Sequence, residues 1–249
     1  MPTVQFQDLG QLDYRSAWDY QTRLHRALVD NKLTNRHLEI GQYPQEHFLL
    51  LVEHPPVYTL GKSGAMEHLL LTEAELLEKG IEFFPINRGG DITFHGPGQL
   101  VGYPVLDLEW FFTDVHRYVR SIEEVIIRTV AEYGVEAFRV NDYTGVWVQN
   151  KAPQKGLGKL CAIGVHMSRW VTLHGWAFNV NTPLDYFSHI VPCGIVDNDK
   201  SVTSLAKILG QSVDMQEIKE KLTGHFADVF ACELVPLPLV TGSIQTVIR

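Results

Sequence analysis

Residues 48–53, FLLLVE, are an unbroken apolar run that His54-Pro55-Pro56 ends and residues 57–60 resume. A run this short, bounded by prolines that cannot extend a hydrogen-bonded ladder, predicts a buried strand. A buried strand needs partners along its edges and apolar cover on its faces, and the rest of the chain offers both. Further strands are expected at 81–86, 100–106, 135–140, 145–149, 160–166 and 170–180. A helix is expected at 14–34, where Ala17, Leu24, Ala27 and Leu28 fall near the helical period. A short helix follows Thr72, with Glu75 completing a capping box and Gly80 as the stop. The clearest helix runs from Asp114 to Gly134, with Val115, Val119, Ile122, Ile126 and Val130 as its apolar stripe. Residues 181–200 read as a long irregular stretch, and 201–209 and 214–230 as two more helices. Regular strand–helix–strand alternation is missing. The expected fold is therefore α/β (α+β), a mixed β-sheet flanked by helices.

The 249 residues show no repeat, low-complexity tract or linker, so a single domain, 1–249, is expected, with its core at about 14–230. A formal net charge of −8 argues against generic nucleic-acid binding, which needs a basic surface. No apolar run reaches the roughly 18 residues of a membrane helix, and the N-terminal residues show no secretory pattern, so a cytoplasmic protein without a membrane partner is expected. Cys161, Cys193 and Cys232 read as reduced thiols rather than a disulfide framework. No paired-histidine or C-x-x-C spacing occurs, so no metal site is expected.

Three segments carry candidate chemistry. The first, RGGDITFHGPGQLVGYP at 88–104, places glycines at 89, 90, 96 and 98 among Arg88, Thr93, His95, Gln99 and Tyr103. Glycines allow positive φ and close approach of a ligand to the backbone; a tight turn between strands explains part of this pattern. His95 there is either a ligand contact or the hydrogen bond that fixes the turn. The second, 156–181, opens with Lys159 ahead of an apolar strand. Lys159 is either a strand-end lysine with its head in water or a partly desolvated lysine usable as a base. The third, HIVPCGIVDNDKSVTSL at 189–205, sets Cys193 between Pro192 and Gly194. A thiol in that polar loop is a poor core filler and a good accessible nucleophile. Cys161 is the rival: on a regular strand it shares a face with Lys159 at about 6.5 Å, although its surroundings, LCAIGV, are those of a core strand.

Together these segments resemble the lipoyl(octanoyl) transferase family (LipB). Arg88, Gly89, Gly90, Thr93, Phe94, His95, Gly98, Gln99 and Tyr103 match its glycine-rich signature, Lys159 its lysine before an A-I-G-V strand, and residues 192–195 its P-C-G-I loop. Cys161 stands where the family often has a small residue such as alanine. The resemblance covers roughly residues 45–210 and implies the fold of biotin protein ligases and lipoate ligases. It implies transfer of an octanoyl group from octanoyl-acyl carrier protein to a lysine of a lipoyl domain, of 2-oxoacid dehydrogenase complexes or the glycine cleavage H protein, by a monomer without a cofactor. By this match Cys193 would hold the acyl group as a thioester and Lys159 would serve as base. Arg88, Gly89, Gly90, Asp91, Ile92, Thr93, Phe94 and His95, with Ala162, Ile163, Gly164, Gly175, Trp176 and Ala177, would line the acyl-substrate site. An ATP-using lipoate or biotin ligase, a non-catalytic acyl-binding module, and a cysteine hydrolase using His189 or His95 are the competing readings. An acidic carrier protein would need local basic residues, from Lys151 and Lys155 or from Arg15, Arg23, Arg26 and Lys32.

Overall fold

The computed structural model describes residues 1–38, 45–150, 156–191 and 199–237. In chain order the elements are β1 (Thr3–Gln11), α1 (Tyr14–Asn35), β2 (His47–Glu53), β3 (Val57–Leu60), α2 (Glu73–Lys79), β4 (Glu82–Pro85), β5 (Ile92–His95), β6 (Gln99–Val105) and α3 (Val115–Ala131). There follow β7 (Ala137–Val140), β8 (Tyr143–Gln149), β9 (Leu157–Ser168), β10 (Val171–Asn179), β11 (Lys200–Val202), α4 (Leu205–Leu209), α5 (Met215–Phe230) and β12 (Glu233–Pro236).

The main sheet has nine strands in the order β12-β1-β2-β6-β10-β9-β8-β7, with β11 pairing in parallel beside β9. β2 lies inside it and is covered on both faces, which explains its unbroken apolar sequence. Leu49 and Leu51 point to α3 and α5, against Ile122, Ile126, Leu222 and Phe226. Phe48, Leu50 and Val52 point to α1, against Ala17, Tyr20 and Leu28. Each fully buried side chain of this kind contributes about 1.5–3 kcal/mol. The helices start where sequence chemistry places them: Asp13, Asp114 and Asp214 accept hydrogen bonds from the first turns of α1, α3 and α5. A second, three-stranded sheet, β4-β3-β5, leaves the main sheet after β2 and returns as β6. Its own core holds Tyr58, Ile92, Phe94 and Ile190, with the Tyr186 ring stacked on Phe94 at 4.5 Å between centroids. Among the described residues no helix is long and apolar enough to cross a membrane, and no cluster of three or more His, Cys, Asp and Glu side chains could hold a metal ion.

Several expectations change. β1, β5 and β12 are strands that the sequence pattern did not yield. The segment expected as a helix from 201 begins as the strand β11, and the helix starts only after Ser204, whose hydroxyl accepts from Lys207 N at 3.3 Å. On α1, Ala27 is exposed, while Gln21, His25 and Lys32 take buried positions. Lys32 donates to Asp107 Oδ1 and to Arg169 O, both at 2.7 Å, so it is a buried ion pair and not a docking charge.

Candidate functional site

A cavity of about 410 Å³ opens between the small sheet and the main one. Arg88, Gly89, Gly90, Asp91, Ile92, Thr93 and His95 line it from one side, and Lys159, Ala162, Ile163, Gly164, Gly175, Trp176 and Ala177 from β9 and β10. Phe94 does not reach it. Its ring fills the core of the small sheet between Tyr186 and Phe187, and it occupies the space a side chain at Gly96 would need. Cys193 lies outside the described residues, as do Lys151 and Lys155.

The glycines matter where the two sheets touch. Gly89 N donates to Val165 O at 3.0 Å. A Cβ on Gly164 would come within 2.8 Å of Gly89 O across that contact, and, within the inserted segment, one on Gly61 within 2.2 Å of Gly90 O. Gly90 and Gly98 have φ of 85° and 77°, which only glycine adopts without cost. Asp91 holds the end of this segment: its Oδ1 accepts from Ile92 N at 2.7 Å, and its other oxygen pairs with His68.

Behind the glycine segment runs a buried polar network. Arg88 donates through Nη2 to Thr59 O at 2.6 Å and to Thr59 Oγ1 at 3.0 Å. Gln99 Nε2 donates to Phe94 O and to Asn179 Oδ1, which orients its amide so that Oε1 faces His95 Nδ1 at 2.8 Å. His95 therefore carries its proton on Nδ1, and Nε2 accepts from the Thr59 hydroxyl at 3.3 Å. Burial, and then the charge of Arg88 among its neighbours, hold His95 well below the usual histidine range, so the ring is neutral. His54 donates from Nδ1 to Leu12 O and accepts at Nε2 from the Tyr103 hydroxyl, both at 2.8 Å. Burial pushes it down to about 4. Tyr14, at the start of α1, is 5.2 Å from the His54 ring and stacks 5.8 Å from His95. This arrangement makes His95 a fixed hydrogen-bonded wall rather than a group that picks up protons at neutral pH.

On the opposite wall, His174 has φ of 63°, in the left-handed region, inside a strand. Two hydrogen bonds hold it there: its N donates to Gln21 Oε1 at 3.0 Å, and Nε2 meets Asn87 Oδ1 at 2.8 Å. The β7–β8 hairpin supplies Asp142, Tyr143 and Thr144 to the cavity. It is pinned by Glu123 of α3, a fully buried carboxylate that accepts from Gly145 N at 3.0 Å, Arg120 Nη1 at 2.7 Å and Arg139 Nε at 3.1 Å. Tyr14, His174, Asn179 and this hairpin are among the lining residues that sequence reasoning missed. Tyr14 and the hairpin reach the cavity from distant elements, whereas His174 and Asn179 flank the expected residues 175–177 on β10.

Lys159 is half-buried and lines the cavity. Cys161 does not share its face. Val146 pairs with Cys161 and Trp147 with Lys159, so Leu160 is an extra residue in β9, and strict alternation breaks there. Leu160 and Cys161 both enter the core under α3, and burial pushes the Cys161 thiol far up. That thiol is in no position to act as a nucleophile.

This fold is shared with solved structures of lipoate protein ligases. The lipoate protein ligase of a bi-partite lipoylation system from Thermoplasma acidophilum superposes with a TM-score of 0.64 at 17% identity, covering 96% of this chain and 88% of that one. Residues 13–227 match the lipoyl protein ligase A/B catalytic domain, and the chain belongs to that family. It is 54% identical over 233 residues to the octanoyltransferase of Flavobacterium johnsoniae, covering 93% of this chain and 98% of that protein. It is 52% identical over 229 residues to the octanoyltransferase of Cytophaga hutchinsonii, covering 92% and 93%.

Proposed function

We propose that the chain is an octanoyltransferase of lipoate synthesis, taking the octanoyl group from an acyl carrier protein onto Cys193 and passing it to a lysine of a lipoyl domain. The observation that carries this reading is Lys159 on the wall of the glycine-lined cavity, in a chain half-identical over nearly its whole length to octanoyltransferases. The segment containing Cys193 leaves the described chain at Val191 and returns at Asp199, whose carbonyl accepts from Leu157 N at 2.7 Å. Val202 then pairs with Lys159. The Asp199 end of this segment is thus anchored on β9, while the other end is held in the inserted segment, where Val191 N donates to His68 O at 2.8 Å.

In the first step the Cys193 thiolate attacks the thioester carbonyl, and the carrier thiol leaves and takes a proton. In the second, the neutral amine of the acceptor lysine attacks the new thioester, an amide forms, and the Cys193 thiol is regenerated. The first exchange is close to neutral in energy and the second is downhill, so no nucleotide is needed. Arg88, Thr93 and the β9 and β10 glycines shape the acyl site, and His95 stiffens its wall. Docking of acidic partners falls to exposed basic residues, Arg15 and Arg26 of α1 among them.

The test is intact-mass measurement after incubation with octanoyl-carrier protein and no ATP. The expected result is one added octanoyl group, removed by hydroxylamine, which Cys193→Ala lacks. Lys159→Ala should slow transfer by about 10²–10⁴-fold. Transfer that needs ATP and leaves no adduct would replace this reading with that of a ligase.

A further inference from the structure

The bulge in β9 does more than bury Cys161. In a regular ladder Trp147 would face Leu160. The extra residue instead sets Trp147 opposite Lys159, with Nζ 4.7 Å from the centroid of the indole. Trp147 is fully buried and does not itself line the cavity, whereas Lys159 and Tyr143 do. Its Nε1 donates to Tyr143 O at 3.4 Å, and the Tyr143 ring meets it edge-on at 5.9 Å. Lys200, carried by β11, lies 4.7 Å from the Tyr143 ring. The indole is therefore held by Tyr143 of its own strand, which in turn lies against Lys200 of β11.

We propose that Trp147 is a positioning residue for the transfer reaction, whose ring face holds Lys159 as an ammonium ion at the cavity wall; this rests on the reading of Lys159 and Cys193 given above. The negative face of an aromatic ring attracts a cation and has no comparable attraction for a neutral amine, and the effect grows where water is excluded. Lys159 then works in its charged form, favouring the Cys193 thiolate by Coulomb attraction rather than removing a proton from the thiol. A leucine at 147 would leave part of the indole's space empty and lose this bias.

Fluorinated tryptophans placed at 147 in the full chain test this, because they weaken the ring's negative face stepwise at nearly constant shape. The measurement is the pH dependence of kcat/KM for octanoyl transfer, with thermal unfolding recorded in parallel. Because Lys159 acts charged, activity is lost as pH rises through its titration. The basic limb should move to lower pH from monofluoro- to tetrafluorotryptophan, by about one unit in all, equivalent to about 1.4 kcal/mol. Tm should stay constant. Trp147→Phe should retain part of the effect and Trp147→Leu none. A basic limb that stays in place, an acidic limb that moves instead, or a uniform loss at all pH with a lowered Tm overturns the proposal. If the unmodified chain forms no hydroxylamine-labile adduct, the transferase reading fails and Trp147 falls with it. If the adduct forms and the limb does not move, only the role of Trp147 is refuted.

Discussion

Replacing Glu123 by glutamine keeps the shape of a buried side chain and removes its charge. The carboxylate has three donors pointing at it: Gly145 N–H and the guanidinium groups of Arg120 and Arg139. An amide cannot accept all three. If its oxygen serves Gly145, its NH₂ group faces two guanidinium donors; if it flips, the buried Gly145 N–H loses its acceptor. An unmatched buried donor costs about 1–3 kcal/mol. Arg120 and Arg139 are partly exposed, with side-chain exposures of 48% and 34%, and water replaces part of what they lose. Their two ion pairs together add about 1 kcal/mol. The expected destabilisation is about 3 kcal/mol, which lowers Tm by roughly 6–12 °C in a chain of this size. Urea unfolding followed by circular dichroism measures it, with the m-value unchanged if the native state keeps its form. Glu124→Gln is the control: Glu124 bonds Arg128 and Arg139 at the surface, with 32% of its side chain exposed, and should cost under about 1 kcal/mol. Equal losses for the two variants, or a loss below about 0.5 kcal/mol for Glu123→Gln, would refute the argument that a buried carboxylate pins the hairpin.

Cys161→Ala should keep most of the transfer activity and cost about 1 kcal/mol of stability, since only a small buried volume is lost; a loss of transfer as complete as for Cys193→Ala would move the nucleophile to the strand. His47 and His54 are held by burial at about 4 and His174, by burial and then Arg88, at about 3, all below the unfolded value. The unfolded chain therefore takes up protons first, and stability present above about pH 6.5 is lost as pH falls towards 4. By pH 5 each such histidine costs about 2 kcal/mol, and a Tm that stays flat from about pH 7 to 5 would contradict this. Lys151→Glu with Lys155→Glu should raise the KM for octanoyl-carrier protein, less so at high salt, and leave a small octanoyl thioester donor unaffected; equal losses with both donors would indicate a distorted site instead of a docking surface.

What could be read from the sequence follows a physical line. β2, β3, α3 and α5 were legible because each carries its own pattern: an apolar run between breakers, or a stripe with an aspartate cap. The glycines of 88–98 marked one wall of the cavity, whereas the facing residues of β9 and β10 were named only through the family resemblance. β1 and β12 were not, because the ladder between them joins Thr3 to Glu233, and pairing across that separation leaves no local mark. The bulge at Leu160 escaped notice for a related reason. Strand alternation predicts a shared face for Lys159 and Cys161, and only the partner strand reveals the slip. Phe94 was misplaced because a strand that lines a cavity still turns one ring into the core behind it.

Residues 54–98 leave and rejoin the main sheet at one seam, where Val52 pairs with Val101. The arginine–glycine wall rides on this excursion, while the facing wall belongs to β9 and β10. Among the described residues, the bonds from Gly89 N to Val165 O and between His174 Nε2 and Asn87 Oδ1 tie the walls across the gap. On the proposed reading, an acyl chain seated between the walls would touch both bodies at once and act as a rivet. Its binding energy is then spent partly on cohesion: at a concentration a hundredfold above Kd it adds about 2.7 kcal/mol against opening. Hydrogen exchange would register this unevenly, with amides of residues 88–95 gaining protection on loading while the β2–β6 seam, already closed, gains little.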